Sequence, residues 1–103
     1  MNWTISVGLN DRYTHKQNAT HMQAVAMLAS LFTCGATFVP TIGVYKGEIE
    51  NSLKIEAYGY TMGDIMGKAI KIKEMLNQEA VIVTNMITQE STWVDDEYVK
   101  QGA

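Results

Sequence analysis

The spacing of apolar positions changes along the chain, and each change marks an element. Trp3, Ile5, Val7 and Leu9 alternate with Thr4, Ser6 and Gly8, the period-two pattern of a half-buried strand that ends at Asn10-Asp11. A polar stretch follows with two capping-box spacings, Thr14 with Gln17 and Thr20 with Gln23. The second of these, or Asn18 as cap, leads into a stripe of Met22, Val25, Leu28, Ala29, Leu31 and Phe32. With Cys34-Gly35 as its stop, this predicts a helix over about Ala19 to Thr33. Thr37 to Lys46 and Glu48 to Tyr58 read as two strands meeting in a hairpin at Gly47. Pro40 cannot donate to a ladder, so the first of them belongs at a sheet edge. In the second, Ile49, Asn51, Leu53, Ile55 and Ala57 point inward while Glu50, Ser52, Lys54 and Glu56 point outward. Thr61 with Asp64 opens a second helix along Ile65, Ala69, Ile72 and Leu76, helped by Met62 and Met66. Lys68, Lys71 and Lys73 are expected mostly toward solvent. The helix stops near Asn77, and the β-branched run from Ala80 to Ile87 reads as the last core strand.

Strand, helix, hairpin, helix and strand in this order, with short connections, predict an α+β domain of the ferredoxin-like β-α-β-β-α-β plan. Its four-stranded antiparallel sheet, in spatial order 4-1-3-2, would carry two helices on one face. Residues 1–90 form that single domain in this reading. Residues 91–103 form a polar, acidic tail or a short edge segment, with Asp95, Asp96 and Glu97 as a solvated charge run. The uncovered sheet face would carry Thr4, Ser6, Lys54 and Glu56 with Tyr45 and Tyr58, and would be wet or paired with a second subunit as a homodimer.

Composition narrows the function classes. A net charge of −3 without any basic run argues against general nucleic-acid binding, which needs several phosphate neutralisations. A single cysteine, Cys34, excludes an intrachain disulfide and a cysteine zinc site. The first residues read as a strand and no segment reaches eighteen apolar residues, so no membrane role and a bacterial cytoplasm are expected.

The fold plan gathers polar residues at one end of the sheet. Asn10, Asp11, Thr14 and Gln17 come from the first loop, Glu48 and Asn51 from the hairpin, and Gln78 and Glu79 from the last junction. They are the candidate ligand-binding or partner-binding residues. Asn51 is the most informative, because its strand parity buries an amide that needs partners, and tying loops together would also satisfy it. Arg12 and His15 belong to the same end. His15 and His21 lack metal-ligand spacing, Cys34 reads as a small buried residue without the surroundings of a nucleophile, and the methionines read as core filler. No catalytic residue, metal or cofactor is expected.

Trp3-Thr4-Ile5-Ser6-Val7-Gly8-Leu9-Asn10-Asp11, Glu50-Asn51-Ser52-Leu53-Lys54-Ile55-Glu56 and Leu76-Asn77-Gln78-Glu79 resemble a group of small proteins of phages and mobile elements of gut-type Firmicutes. The resemblance implies an anti-defence protein, such as an anti-CRISPR inhibitor or a sponge for nucleotide signals. The expected function is therefore a non-catalytic phage-type binding protein directed at a host defence component. A homo-oligomeric binder of a small polar ligand is the alternative, and a small dimeric enzyme, for which no motif speaks, comes last.

Overall fold

A computed structural model describes residues 2–102; residues 1 and 103, the outer ends of the expected spans, lie outside it. The order of elements is β1 (Asn2–Gly8), α1 (His21–Leu28), β2 (Ala36–Tyr45), β3 (Glu48–Tyr58), α2 (Met62–Met75), β4 (Ala80–Asn85), β5 (Ser91–Asp95) and α3 (Asp96–Gly102). The five strands form one antiparallel sheet in the order β2-β3-β1-β4-β5. This is an α+β fold, but the expectation of four strands and two helices is corrected to five and three. The four expected strands keep their expected order, with the Pro40 strand at an edge, and β5 adds to the free side of β4.

The core lies between the sheet and its helices. Trp3, Ile5, Val7, Leu53, Ile55, Ala57, Val81, Val83 and Val94 meet Ala24, Leu28, Ile65, Ala69, Ile72 and Leu76, all buried. Thr20 caps α1 through the capping box with Gln23, and Thr61 caps α2 by accepting from the Asp64 N–H. The first helix is shorter than its apolar stripe. It tightens into a 3-10 turn at Ala29–Leu31, after which Phe32 turns inward and meets Phe38 and Tyr60 edge-on.

Several sequence expectations fail for geometric reasons. The β2-β3 hairpin runs past the end of the helical layer, so Ile49 is exposed and Asn51 only half-buried although their parity is the core's. Met22, Met27, Met62, Met75 and Met86 are exposed and Met66 alone of the described methionines is buried, so they are not core filler. Cys34 is exposed, on the turn that leads to Gly35 at φ +101°. Lys73 is buried and not solvated, because β5 and α3 close over that side of α2 and bring Asp96 onto its ammonium. Asp96 also accepts a bidentate pair from Arg12 at 3.0 and 2.7 Å, so the acidic run is no free charge run. Among the described residues, no helix is long and apolar enough to cross a membrane.

Candidate functional site in the open face of the sheet

The face of the sheet away from the helices is concave at the end where the polar loops gather. There it encloses a cavity of about 430 Å³, within the range of about 300–1,000 Å³ usual for small-molecule sites. Its floor is Ser6, Gly8, Ser52 and Ile82, and the hairpin, the 10–15 loop, the 78–80 junction and Trp93 form its walls. Tyr45 on edge strand β2 and Trp93 on edge strand β5 lie 6.1 Å apart between ring centroids. The ladders put Trp93 level with Val39, well along β2 from Tyr45, so in a flat sheet the two backbone positions would lie about 25 Å or more apart, beyond the reach of the two side chains, and the sheet is curled over this cavity.

The expected site residues are brought to this end, in two groups. Asn10, Asp11, Glu48, Gln78 and Glu79 line the cavity. Thr14, Gln17 and Asn51 do not, and they tie loops instead. Asn51 Nδ2 donates to Gln17 Oε1 at 2.9 Å, Gln17 Nε2 donates to the Ala19 carbonyl at 2.7 Å, and Thr14 Oγ1 accepts from the Lys16 N–H at 3.2 Å. Gln78 is buried and donates to the carbonyls of Asn10 and Leu76 at 2.7 and 2.9 Å, fixing the first loop against the last junction.

Most charges around the cavity are already matched. Lys46 Nζ bonds Glu79 at 3.0 Å, which holds the Glu79 carboxyl below its ordinary range. His15 Nδ1 lies 2.7 Å from both oxygens of Glu48, which raises the imidazole's pKa and favours its charged form. Arg12 is held by Asp96. Asp11 accepts from the Thr14 and Tyr13 N–H groups and from Asn77, so its pKa is lowered.

Glu50 is the exception. Its carboxylate lies in the cavity against Gly8, and its polar partner is the Asn10 N–H at 3.2 Å. Burial pushes its pKa up; the Asn10 bond opposes this and the neighbouring charge of Glu48 adds to it. No cation of the described residues bonds it. Alternation places Glu50 on the outward face, where an acid ordinarily meets water, so sequence reasoning passed over it. The available signal was glycine: Gly43 is its direct partner on β2, and Gly8 sits opposite Ser52 on β1. Two bare positions beside one acid make a hollow on a sheet face. Trp93 carries no local signal of a site, because it lies in the segment expected as a tail.

No family model matches the chain, and no curated protein matches it. A solved structure of a phage SAM lyase in its apo state is similar to it, with a TM-score of 0.70 and 26% identity over 93% of this chain and 89% of that one. The phage origin of that neighbour agrees with the mobile-element side of the resemblance. Its activity overturns the expected non-catalytic binding protein, since a likeness of this extent to a lyase points to catalysis. Its substrate agrees with the expectation of a small-molecule ligand.

Proposed function

We propose that this chain is a lyase acting on SAM, S-adenosylmethionine, bound in the curled open face with Glu50 beside its sulfonium. The observation that carries the reading is charge matching. Glu50 is a half-buried carboxylate with no cation of its own, in a cavity whose other charges are ion-paired or, for Asp11, held by three hydrogen bonds, and SAM brings a positive sulfur. Likeness to the lyase supplies the reaction class.

The chemistry asks little of a catalytic dyad. As a C–S bond breaks, sulfur keeps the bonding pair and becomes a neutral thioether, so the leaving group needs no proton. The carbon that loses the pair is satisfied from within the substrate: an oxygen of its own carboxylate forms a C–O bond to it as the C–S bond breaks, closing a lactone, and no water is consumed in that step. Positive charge fades from sulfur as the bond breaks, so a carboxylate there favours the bound substrate more than the transition state. Glu50 is therefore a binding and orienting group. Acceleration comes from folding the substrate into one conformation and keeping water from it. A protein partner or a homodimer through the sheet face would compete for this same surface, and the lyase reading assigns the surface to the small molecule. A mobile-element enzyme that consumes SAM in the bacterial cytoplasm deprives SAM-dependent host enzymes of their methyl donor, which gives the anti-defence reading a catalytic form.

The test is product analysis by mass spectrometry with SAM in ¹⁸O-labelled water. A lyase consumes SAM to give a thioether and a second fragment with no ¹⁸O on the carbon that left sulfur; unconsumed SAM, or label on that carbon, overturns the reading. Glu50→Gln keeps the size of the side chain and removes the charge. It is expected to lower kcat/KM about 10- to 100-fold, mainly through KM, as loss of a charge-assisted contact does.

A further inference from the structure

We infer that Tyr45 and Trp93 together form the stacking platform for a planar nucleobase at the mouth of the cavity. This rests on the proposed small-molecule site and assigns the part of it that would hold the ligand's aromatic ring. Trp93 is 50% exposed and lies outside the core, on an edge strand, where an indole has no burial to justify it. Its strand partner across β4 is Ile82, which forms part of the cavity floor. Tyr45 comes from the far end of β2, and the curl of the whole sheet brings the two rings together at a tilt of 37°. At 6.1 Å the rings touch each other, so a third ring stacks on the pair and does not pass between its members.

The neighbours of the pair favour a base over an aliphatic group. Lys46 Nζ lies 5.4 Å from the Tyr45 centroid, and Glu79 neighbours the Tyr45 hydroxyl, whose pKa is raised by burial first and by the charge of Glu79 second. The platform thus offers π faces with a donor and an acceptor at its rim. Glu50 lies in the same cavity on the strand next to β2, so one ligand carrying both a base and a cationic centre can span the two features.

The two tryptophans make the test direct. Trp3 is 3% exposed with its indole N–H bonded to the Tyr60 carbonyl at 2.9 Å, whereas Trp93 meets solvent, so their emission differs in wavelength. Adenosine, titrated into the whole protein, is expected to quench the red-shifted emission, while ribose does not. In Trp93→Phe the quench disappears but calorimetric affinity for adenosine stays within a few fold; in Trp93→Leu affinity falls about tenfold, as for loss of one base–aromatic stack. Circular dichroism and the unchanged emission of Trp3 report that each variant is folded. Adenosine that fails to bind, that binds without quenching Trp93, or that binds Trp93→Leu as tightly as the parent overturns the assignment. The outcome is separable from the lyase reading: SAM consumption without any effect at Trp93 sinks the platform alone, and quenching by adenosine without SAM consumption sinks the lyase alone.

Discussion

At the scale of single residues, the site depends on an absence. A β-carbon added at Gly8 would lie 2.2 Å from a carboxylate oxygen of Glu50 and 2.5 Å from its Cδ. The obstructing atoms are the far end of a flexible side chain, so the strand can keep its place while the carboxylate swings away. Gly8→Ala is therefore expected to leave stability within roughly 1 kcal/mol of the parent, while kcat/KM for SAM falls about tenfold or more. Urea unfolding and steady-state kinetics separate the two effects. A variant that unfolds but is fully active when folded would show that Gly8 serves the sheet and not the placement of Glu50.

At the scale of elements, the apolar periods were sufficient where one face of an element meets the core. Trp3, Ile5 and Val7, Leu53, Ile55 and Ala57, and Ile65, Ala69 and Ile72 are buried as their spacing requires. Legibility fails where a neighbour from far along the chain decides the surroundings. Ile49 obeys the parity of β3 but overhangs the helices, and Lys73 sits on a helix flank that β5 and α3 cover. The open face is the same case, because curl and the arrival of Trp93 turn an outward Glu50 into a cavity residue, and no local pattern encodes curl. Five of the eight candidate residues line the cavity, since loops at one sheet end converge whatever their detail; the acid that carries the electrostatic argument was outside that set.

The last two elements are also where stability can be tested. Val94 is fully buried and pairs with Val81, and Tyr98 packs against the same cluster, so β5 and α3 contribute to the one core. Val94→Ala removes two buried methyl groups and leaves a small void. A loss of about 2 kcal/mol in unfolding free energy follows. A loss under roughly 0.5 kcal/mol, the scale of a surface substitution, would mean that the C-terminal segment is an accessory to a domain complete without it.

At the scale of the whole molecule, acid separates function from folding. Glu50 has a pKa raised by burial above its ordinary 4.5, so it gains its proton at a higher pH than an exposed glutamate and loses its attraction for a sulfonium there. Ionised, Glu50 costs stability as pH rises from 4.5 through its folded value, so acidification over that window relieves the fold. Asp11, Glu79 and Asp96 have pKa values lowered from 3.8, 4.5 and 3.8 by their hydrogen bonds and ion pairs. Their stabilisation is present above those ordinary values and is lost only as pH falls through the lower folded ones. His15 has the opposite sign: its pairing with Glu48 stabilises fully below the ordinary 6.5 and is lost as pH rises through the raised folded value, loosening the hairpin from the first loop. As pH falls through the raised Glu50 value, above the ordinary 4.5, kcat/KM should therefore fall while the melting temperature holds. Activity should return on neutralisation, and Glu50→Gln should show a low, flat profile over the same interval. Melting curves and initial rates taken in the same buffers decide it. Activity and melting temperature collapsing together would place the acid sensitivity in the paired carboxylates and remove Glu50 from substrate binding.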